Sequence, residues 1–442
     1  MPSSFPPRRE AGWLPGHAEA LDALARALHP GVARPGDFVQ VLLRRTDRLT
    51  LEYEPGSHTP LVSTGTSLQA RVRAWRGGHH AVVEGRVYAP EELSSWVASA
   101  LSRAESGTPL PLPAPRQAPS LPSRPVGGLD GALAARRARE LVDALTPCGG
   151  RFQALLCQQQ DSFQVIADSG GGRGLEWLPH EQLHVRWEMP SGGVVDGAGA
   201  PVLDGSWSLT PLVERLRDAL GTLEAPGSAP EPSLPWVLRP PVAAPLVTGL
   251  AGLLRGDVGA QVAALRQSLG RQVFPSVLTL LSEPRHPAAP LHRSEDDQGT
   301  PTAALALVRD GRLQTFAHSA ESAAALGCPP NGCAWASEEQ GPTPGLLNAH
   351  VAPREGALPE DRLELTARVE TFSLQPSPGV VAMIVAGWEV RGGQRQRRVA
   401  PFEVTLPLLA TWRRLRGVGA DLSFLPTVDG CGTPTLIFPP LF

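Results

Sequence analysis

The 442-residue chain contains no lysine; all 40 of its basic residues are arginine. That absence excludes a P-loop, whose lysine holds the phosphates, and any enzyme working through a lysine Schiff base. With only two Tyr and two Asn against 46 Gly and 47 Pro, the pattern fits a codon bias toward GC-rich triplets. Five cysteines make no disulfide framework. Cys328 and Cys333, in CPPNGC, lack the second pair of a structural zinc site and read as free thiols beside a turn. The formal net charge is −3 and the pI is near 6.4, so no basic footprint for nucleic acid or anionic lipid is present. No apolar run reaches the roughly 18 residues of a membrane span, and MPSSFPPRREAGW offers no apolar export core. A cytoplasmic protein without membrane or nucleic-acid partners is expected.

What the chain does have is length for two or three domains. The first 225 residues read as a mixed α/β domain. It opens with an amphipathic helix over 17–29, strands near 37–43, 49–53 and 68–75, and a helix from Pro90. Seven prolines over 106–128 form a stiff connection within it. A second proline-rich stretch, 226–245, reads as a linker between that domain and a C-terminal domain over 246–442. There a mostly apolar helix over 246–269 precedes strands, with a hairpin across Arg309–Gly311 and long antiparallel strands near 363–371, 379–390 and 398–406. The fold class is α+β, its C-terminal part strand-rich and mostly antiparallel.

One short stretch carries a metal-binding pattern. LPHEQLH, residues 178–184, places His180, Glu181 and His184 at the spacing of a zinc peptidase. On a helix both imidazoles reach one zinc; on a strand, four steps separate them by roughly 13 Å. The flanks favour a strand: from Gln182 to Met189 polar and apolar residues alternate, with Pro179 and Pro190 as brackets. His180 and His184 are then polar residues on a solvated strand face.

A second pattern is spread over most of the chain. RSEDDQGTPTAALALVRDGRL (293–313) resembles the signature of the TldD/PmbA family, metallopeptidases also called modulators of DNA gyrase. Asp296, Asp297, Gly299, Thr300 and Pro301 match its Asp-Asp-Glu-Gly-Thr-Pro run, while Gln298 replaces an acidic residue. Ala320–Gly327, Asn331-Gly332, Asn348 and Val418–Leu422 match further segments in order. RVRAWRGGHHAVVEGRVYAPEELSSWVASALSRA and SLGRQVFPSVLTLLSEP resemble its earlier regions.

The resemblance implies one of two subunit types. TldD-like subunits hold zinc with His-Glu-x-x-x-His on the helix before the Asp-rich run, plus a downstream cysteine; TldE or PmbA-like subunits lack the motif and pair with them. Here that helix, 241–270, contains no His, Glu or Cys. Cys431, near the position of the family's cysteine, is left with nothing to complete. The resemblance thus implies a non-catalytic, TldE-like subunit of a heterodimer, acting on unfolded peptides or peptide precursors. Its zinc is expected in a TldD-like partner carrying His-Glu-x-x-x-His, with no cofactor in this chain. Asp297, Gly299 and Thr300 would shape a peptide- or partner-facing wall, or else form an ordinary acidic turn. The alternatives are an autonomous zinc peptidase using residues 180–184 and a stand-alone peptide-binding protein.

Overall fold

The computed structural model describes residues 14–28, 34–57, 59–113, 129–199, 208–336, 341–369, 379–425 and 430–441. Among these residues two compact units emerge: those lying within 1–48, 64–125 and 160–179 in one, and those within 49–63, 126–159 and 180–442 in the other. Among the described residues no helix is long and apolar enough to cross a membrane.

In the first unit the helices His17–Ala27 and Glu91–Ala104 are amphipathic. Their buried Ala20, Leu24, Leu93, Val97 and Leu101 share a core with Val41, Leu43, Val72 and Val165 from the strands. The strand His79–Arg86 pairs antiparallel with the end of Leu61–Arg76, from Gln69↔Arg86 to Arg76↔His79. Gly77 and Gly78, both at positive φ, make the two-residue turn between them.

The second unit holds two cores. One lies under the helices Gly131–Leu145 and Thr210–Leu223 and takes in Leu183, Val185 and Trp187 of the strand His180–Glu188. The other surrounds the helix Pro240–Leu253, which packs against strands of both sheets. The strand Arg362–Val369 is buried almost throughout. It pairs antiparallel with Val380–Arg391, which pairs in turn with Gln394–Pro407. A smaller sheet runs in the order Arg312–Leu313, Leu305–Arg309, Leu280–Ser282, Ala349–Val351, Cys431–Thr433, Ser423–Leu425. The hairpin expected at Arg309–Gly311 is present, and a second tight turn joins Val380–Arg391 to Gln394–Pro407. Asp310 and Gly311, and Gly392 and Gly393, take positive φ at their two central positions. The α+β class and the mostly antiparallel pairing are those read from the sequence, with parallel pairs at Leu363↔Trp236 and Ala349↔Cys431.

Two segments differ from the sequence reading. The stretch 226–245 contains the strand Trp236–Leu238, which lies between Arg362–Val369 and Leu436–Phe438, with all three of its residues buried. It forms part of the second unit's interior; Pro235 precedes the strand and Pro240 and Pro241 open the helix, where no ladder or helical hydrogen bond is lost, while Pro245 lies inside that helix. The helix expected over 246–269 starts earlier, at Pro240, and stops at Leu253, leaving two single turns at Gly256–Gly259 and Ala263–Arg266. Arg255 turns extended to bridge Ala317, and Gly256 and Gly259 approach His318 and Phe316 where a Cβ would collide. Of the proline-rich connection, residues 114–128 lie outside the described residues.

Candidate functional site

The motif in LPHEQLH lies on a strand. From His180 to Met189 buried and half-buried residues alternate, so Glu181 falls on the core face with Leu183 and Val185. Glu181 is 2% exposed and forms an ion pair with Arg137 of the helix Gly131–Leu145. Buried beside them, the Cys157 thiol is pushed up to about 12 by its loss of water, with the Glu181 charge adding to the effect. His180 and His184 are half-buried on the opposite strand face, less open than the solvated face expected. Burial lowers the pKa of His180, and its Nδ1 has no partner. Four strand steps keep the two imidazoles too far apart to share an ion.

The helix Pro240–Leu253 borders a cavity of about 700 Å3. Pro241, Ala244, Pro245, Thr248, Gly249 and Gly252 face it from the helix, with Leu212, Arg215 and Leu216 from the helix Thr210–Leu223 and Thr366, Arg368, Val380 and Val381 from the strands. Small side chains on the Pro240 helix make this space: Gly249 lies where a Cβ would press on Leu408 at 2.8 Å. The lining is mostly apolar. Burial lowers the pKa of Arg215, which nevertheless stays a cation, since arginine does not deprotonate in proteins. Arg255, also at the rim, is held by Asp257 at 2.6 Å.

Cys431 packs on this same helix. It is 2% exposed, its Sγ lies 3.8 Å from the Ala244 carbonyl, and Thr248 stands close enough to donate to it. Burial pushes the thiol up to about 11, so it is neutral near pH 7. Ala244 and Thr248 sit one turn apart beneath it, where imidazoles would have to stand to share a metal with this sulfur. A methyl, a hydroxyl and a neutral thiol do not supply the donors of a catalytic zinc, so the residues present do not fit that ion here.

The Asp-rich turn is internal. Asp296 is 0% exposed; its Oδ1 accepts from the backbone N–H of Gln298 (2.9 Å) and Thr300 (2.8 Å), and its Oδ2 from that of Ala334 (3.0 Å). Burial pushes this carboxyl up to about 7 against the pull of those three donors. Asp297, 2% exposed, accepts from Arg293 and from the Ala336 N–H, both at 2.8 Å. Gln298, at the position where the resemblance expects an acid, accepts from the Ala320 N–H and donates to Glu321. Gly299, at φ 77°, and Thr300 are half-buried. The carboxylates therefore stitch the turn to the segment 334–336, and Gly299 with Thr300 is the part of the motif nearer the surface.

Sequence reasoning passed over one cluster. Among the described residues, Glu283, His286 and His350 are the one group of three or more His, Cys, Asp or Glu side chains close enough to share an ion. No spacing rule joins His350 to the other two; they meet because the strand Leu280–Ser282 pairs with Ala349–Val351.

An apolar helix packed on strands of a larger, mostly antiparallel sheet and of a smaller mixed one, with a buried Asp-Asp-x-Gly-Thr turn in the same half, defines the class of the C-terminal half. Residues 232–441 match the family model described as the PmbA/TldA metallopeptidase C-terminal domain. Those residues carry the C-terminal domain of the TldD/PmbA family. Its fold is similar over 96% of its length to a Thermotoga maritima protein described as a modulator of a DNA gyrase (TM-score 0.77, 16% identity, 98% of that chain). It is similar over 95% to TldE from Thermococcus kodakarensis (TM-score 0.78, 15% identity, 98% of that chain). A Bacteroides thetaiotaomicron protein described in the same way as the first matches over 95% (TM-score 0.71, 15% identity, 96% of that chain). No curated protein matches the sequence.

Proposed function

We propose that this chain is the non-catalytic, TldE-like subunit of a heterodimeric TldD/TldE zinc metallopeptidase acting on unfolded peptides or peptide precursors. One observation carries the reading: the cavity face of the Pro240 helix offers only Pro, Ala, Thr, Gly and Leu, with a neutral Cys431 above it. A peptidase zinc needs about three convergent ligands and an open water position, and neither the Thr248 hydroxyl nor the neutral Cys431 thiol supplies one. The peptidase zinc then belongs to a TldD-like partner carrying His-Glu-x-x-x-His.

The cavity supports a part in holding peptide. Its apolar wall suits unfolded side chains, and the Arg215 guanidinium suits carbonyl oxygens or a carboxylate. Mixing the purified chain with a TldD-like subunit tests the reading. Neither the chain alone nor its Cys431→Ser variant cleaves peptide; the pair does, and Cys431→Ser leaves the pair's rate unchanged. In the pair, Arg215→Met raises KM for peptide with a smaller change in kcat. Cleavage by the isolated chain, or its abolition in the pair by Cys431→Ser, would overturn the proposal.

A further inference from the structure

We infer that Glu283, His286 and His350 form a binding site for one divalent cation of the zinc class, separate from the Pro240 helix. The Nε2 atoms of His286 and His350 each lie 3.9 Å from Glu283 Oε2, and all three ligand atoms lie within 4.8 Å of one another. Around a tetrahedral zinc with bonds of about 2.0–2.1 Å, ligand atoms stand about 3.4 Å apart, so each Glu283–His pair closes by about half an ångström and the two imidazoles approach by up to about 1.4 Å. Two imidazoles and a carboxylate suit Zn2+ and Co2+; the oxygen-seeking Ca2+ and Mg2+ would find one donor here. Three protein ligands leave a fourth position open.

The surroundings are those of a held ligand set. His350 Nδ1 lies 3.0 Å from the Asn348 carbonyl oxygen, to which its N–H donates, leaving the Nε2 lone pair facing Glu283. Asn348, kept at φ 50°, donates from Nδ2 to the carbonyls of Glu283 (3.2 Å) and Leu291 (2.5 Å) and so fixes the loop that carries Glu283 and His286. Phe424 packs on both imidazoles, at 4.8 and 5.4 Å between ring centroids. Gly432 makes the room: a Cβ there would stand 2.7 Å from the Phe424 ring and 2.8 Å from His350 Cβ. The Ala288 N–H points at His286 Nδ1 from 3.2 Å. That exposed contact opens when the ring turns to ligate through Nε2 with its proton on Nδ1.

Position separates this site from the one the Pro240 helix lacks. Ala349 pairs with Cys431 and His350 with Gly432, and neighbours along a strand face opposite ways. Cys431 points to the helix, so His350 points away from it, across the sheet. The inference therefore departs from the sequence expectation that the chain holds no metal, and it concerns a cation that the peptidase reaction does not require.

The test uses the full chain alone, stripped with a chelator and titrated with Co2+, then with Zn2+. The expected result is one Co2+ per chain with a visible d–d band, displaced by Zn2+, and a zinc-dependent rise in Tm. Glu283→Gln and His286→Ala, both at partly exposed side chains, weaken binding by about tenfold or more and abolish the Tm rise, with circular dichroism unchanged. The double variant His180→Ala, His184→Ala binds as the parent does. A parent chain with neither band nor Tm rise, binding retained within about threefold in both site variants, or binding lost in the His180, His184 variant, would overturn the inference. No partner subunit takes part, so the outcome is independent of the heterodimer proposal.

Discussion

Glu181 stands where a zinc peptidase would keep its general base, and its substitution distinguishes a catalytic carboxylate from a structural one. In a metal site, Glu→Gln removes activity and spares the fold. Here Glu181 is 2% exposed and Arg137, its partner, is 8% exposed. Glu181→Gln leaves the guanidinium buried without its counter-ion, a loss of about 3–5 kcal/mol. In a unit of this size, roughly 2 °C of Tm accompanies each kcal/mol, so Tm falls by roughly 6–10 °C. Arg137→Met combined with Glu181→Leu removes both charges and fills the space with apolar atoms, so most of the loss returns, as for other buried pairs. Thermal and urea unfolding of the two single variants and the double variant, set out as a cycle, measures the coupling directly. Cleavage by the reconstituted pair is expected to survive in every variant that folds. A Glu181→Gln protein within about 1 kcal/mol of the parent, or one that keeps its Tm and loses cleavage, would refute the reasoning.

Two further outcomes follow from buried titratable groups. Burial pushes Glu364 up, but the hydrogen bond from Arg395, the Arg239 charge and the hydrogen bond from Arg362 pull harder, bringing it to about 2 from an ordinary 4.5. Because the folded value is the lower one, its contribution, on the order of 3 kcal/mol, is present above about pH 4.5 and is lost as pH falls toward 2. Acid unfolding of Glu364→Gln is expected to be flatter across that window and its stability at pH 7 lower. Separately, burial pushes Cys157 and Cys333 up to about 12 and Cys431 to about 11. At pH 8 the native chain is expected to alkylate at half-buried Cys148 while these three stay intact until denaturant is added, as read by mass spectrometry.

Features written in local patterns were legible. Alternation placed His180–Glu188 on a strand, and the Asp-Gly turn placed the hairpin at Asp310-Gly311. The empty face of the Pro240 helix was legible too, as an absence of His, Glu and Cys over 241–270. Contacts distant in sequence set the rest. Nothing near Gly256 announces a helix end; Ala317 and His318 impose it from some 60 residues away. Trp236–Leu238 reads as linker because only pairing with Leu363–Leu365 and Leu436–Phe438, both distant in sequence, makes a strand of three residues between prolines. Asp297 and Glu181 each found an arginine partner in the folded chain, which composition cannot reveal. Glu283 and His286 became neighbours of His350 through strand pairing alone.

The parallel pairing of Ala349 with Cys431 also decides which element sits beside which chemistry. A slip of one residue along Cys431–Thr433 would turn every side chain of that strand to the other face. Gly432 would then lie under the Pro240 helix, and the Cys431 sulfur would join His350, His286 and Glu283. That four-donor set would bind a soft ion tightly and close the open position; it would also give peroxide an oxidisable thiolate. A change of one step in hydrogen bonding thus separates an open nitrogen-and-oxygen cation site from a sulfur trap. Gly432, whose missing side chain admits both Phe424 and His350, holds that step in place.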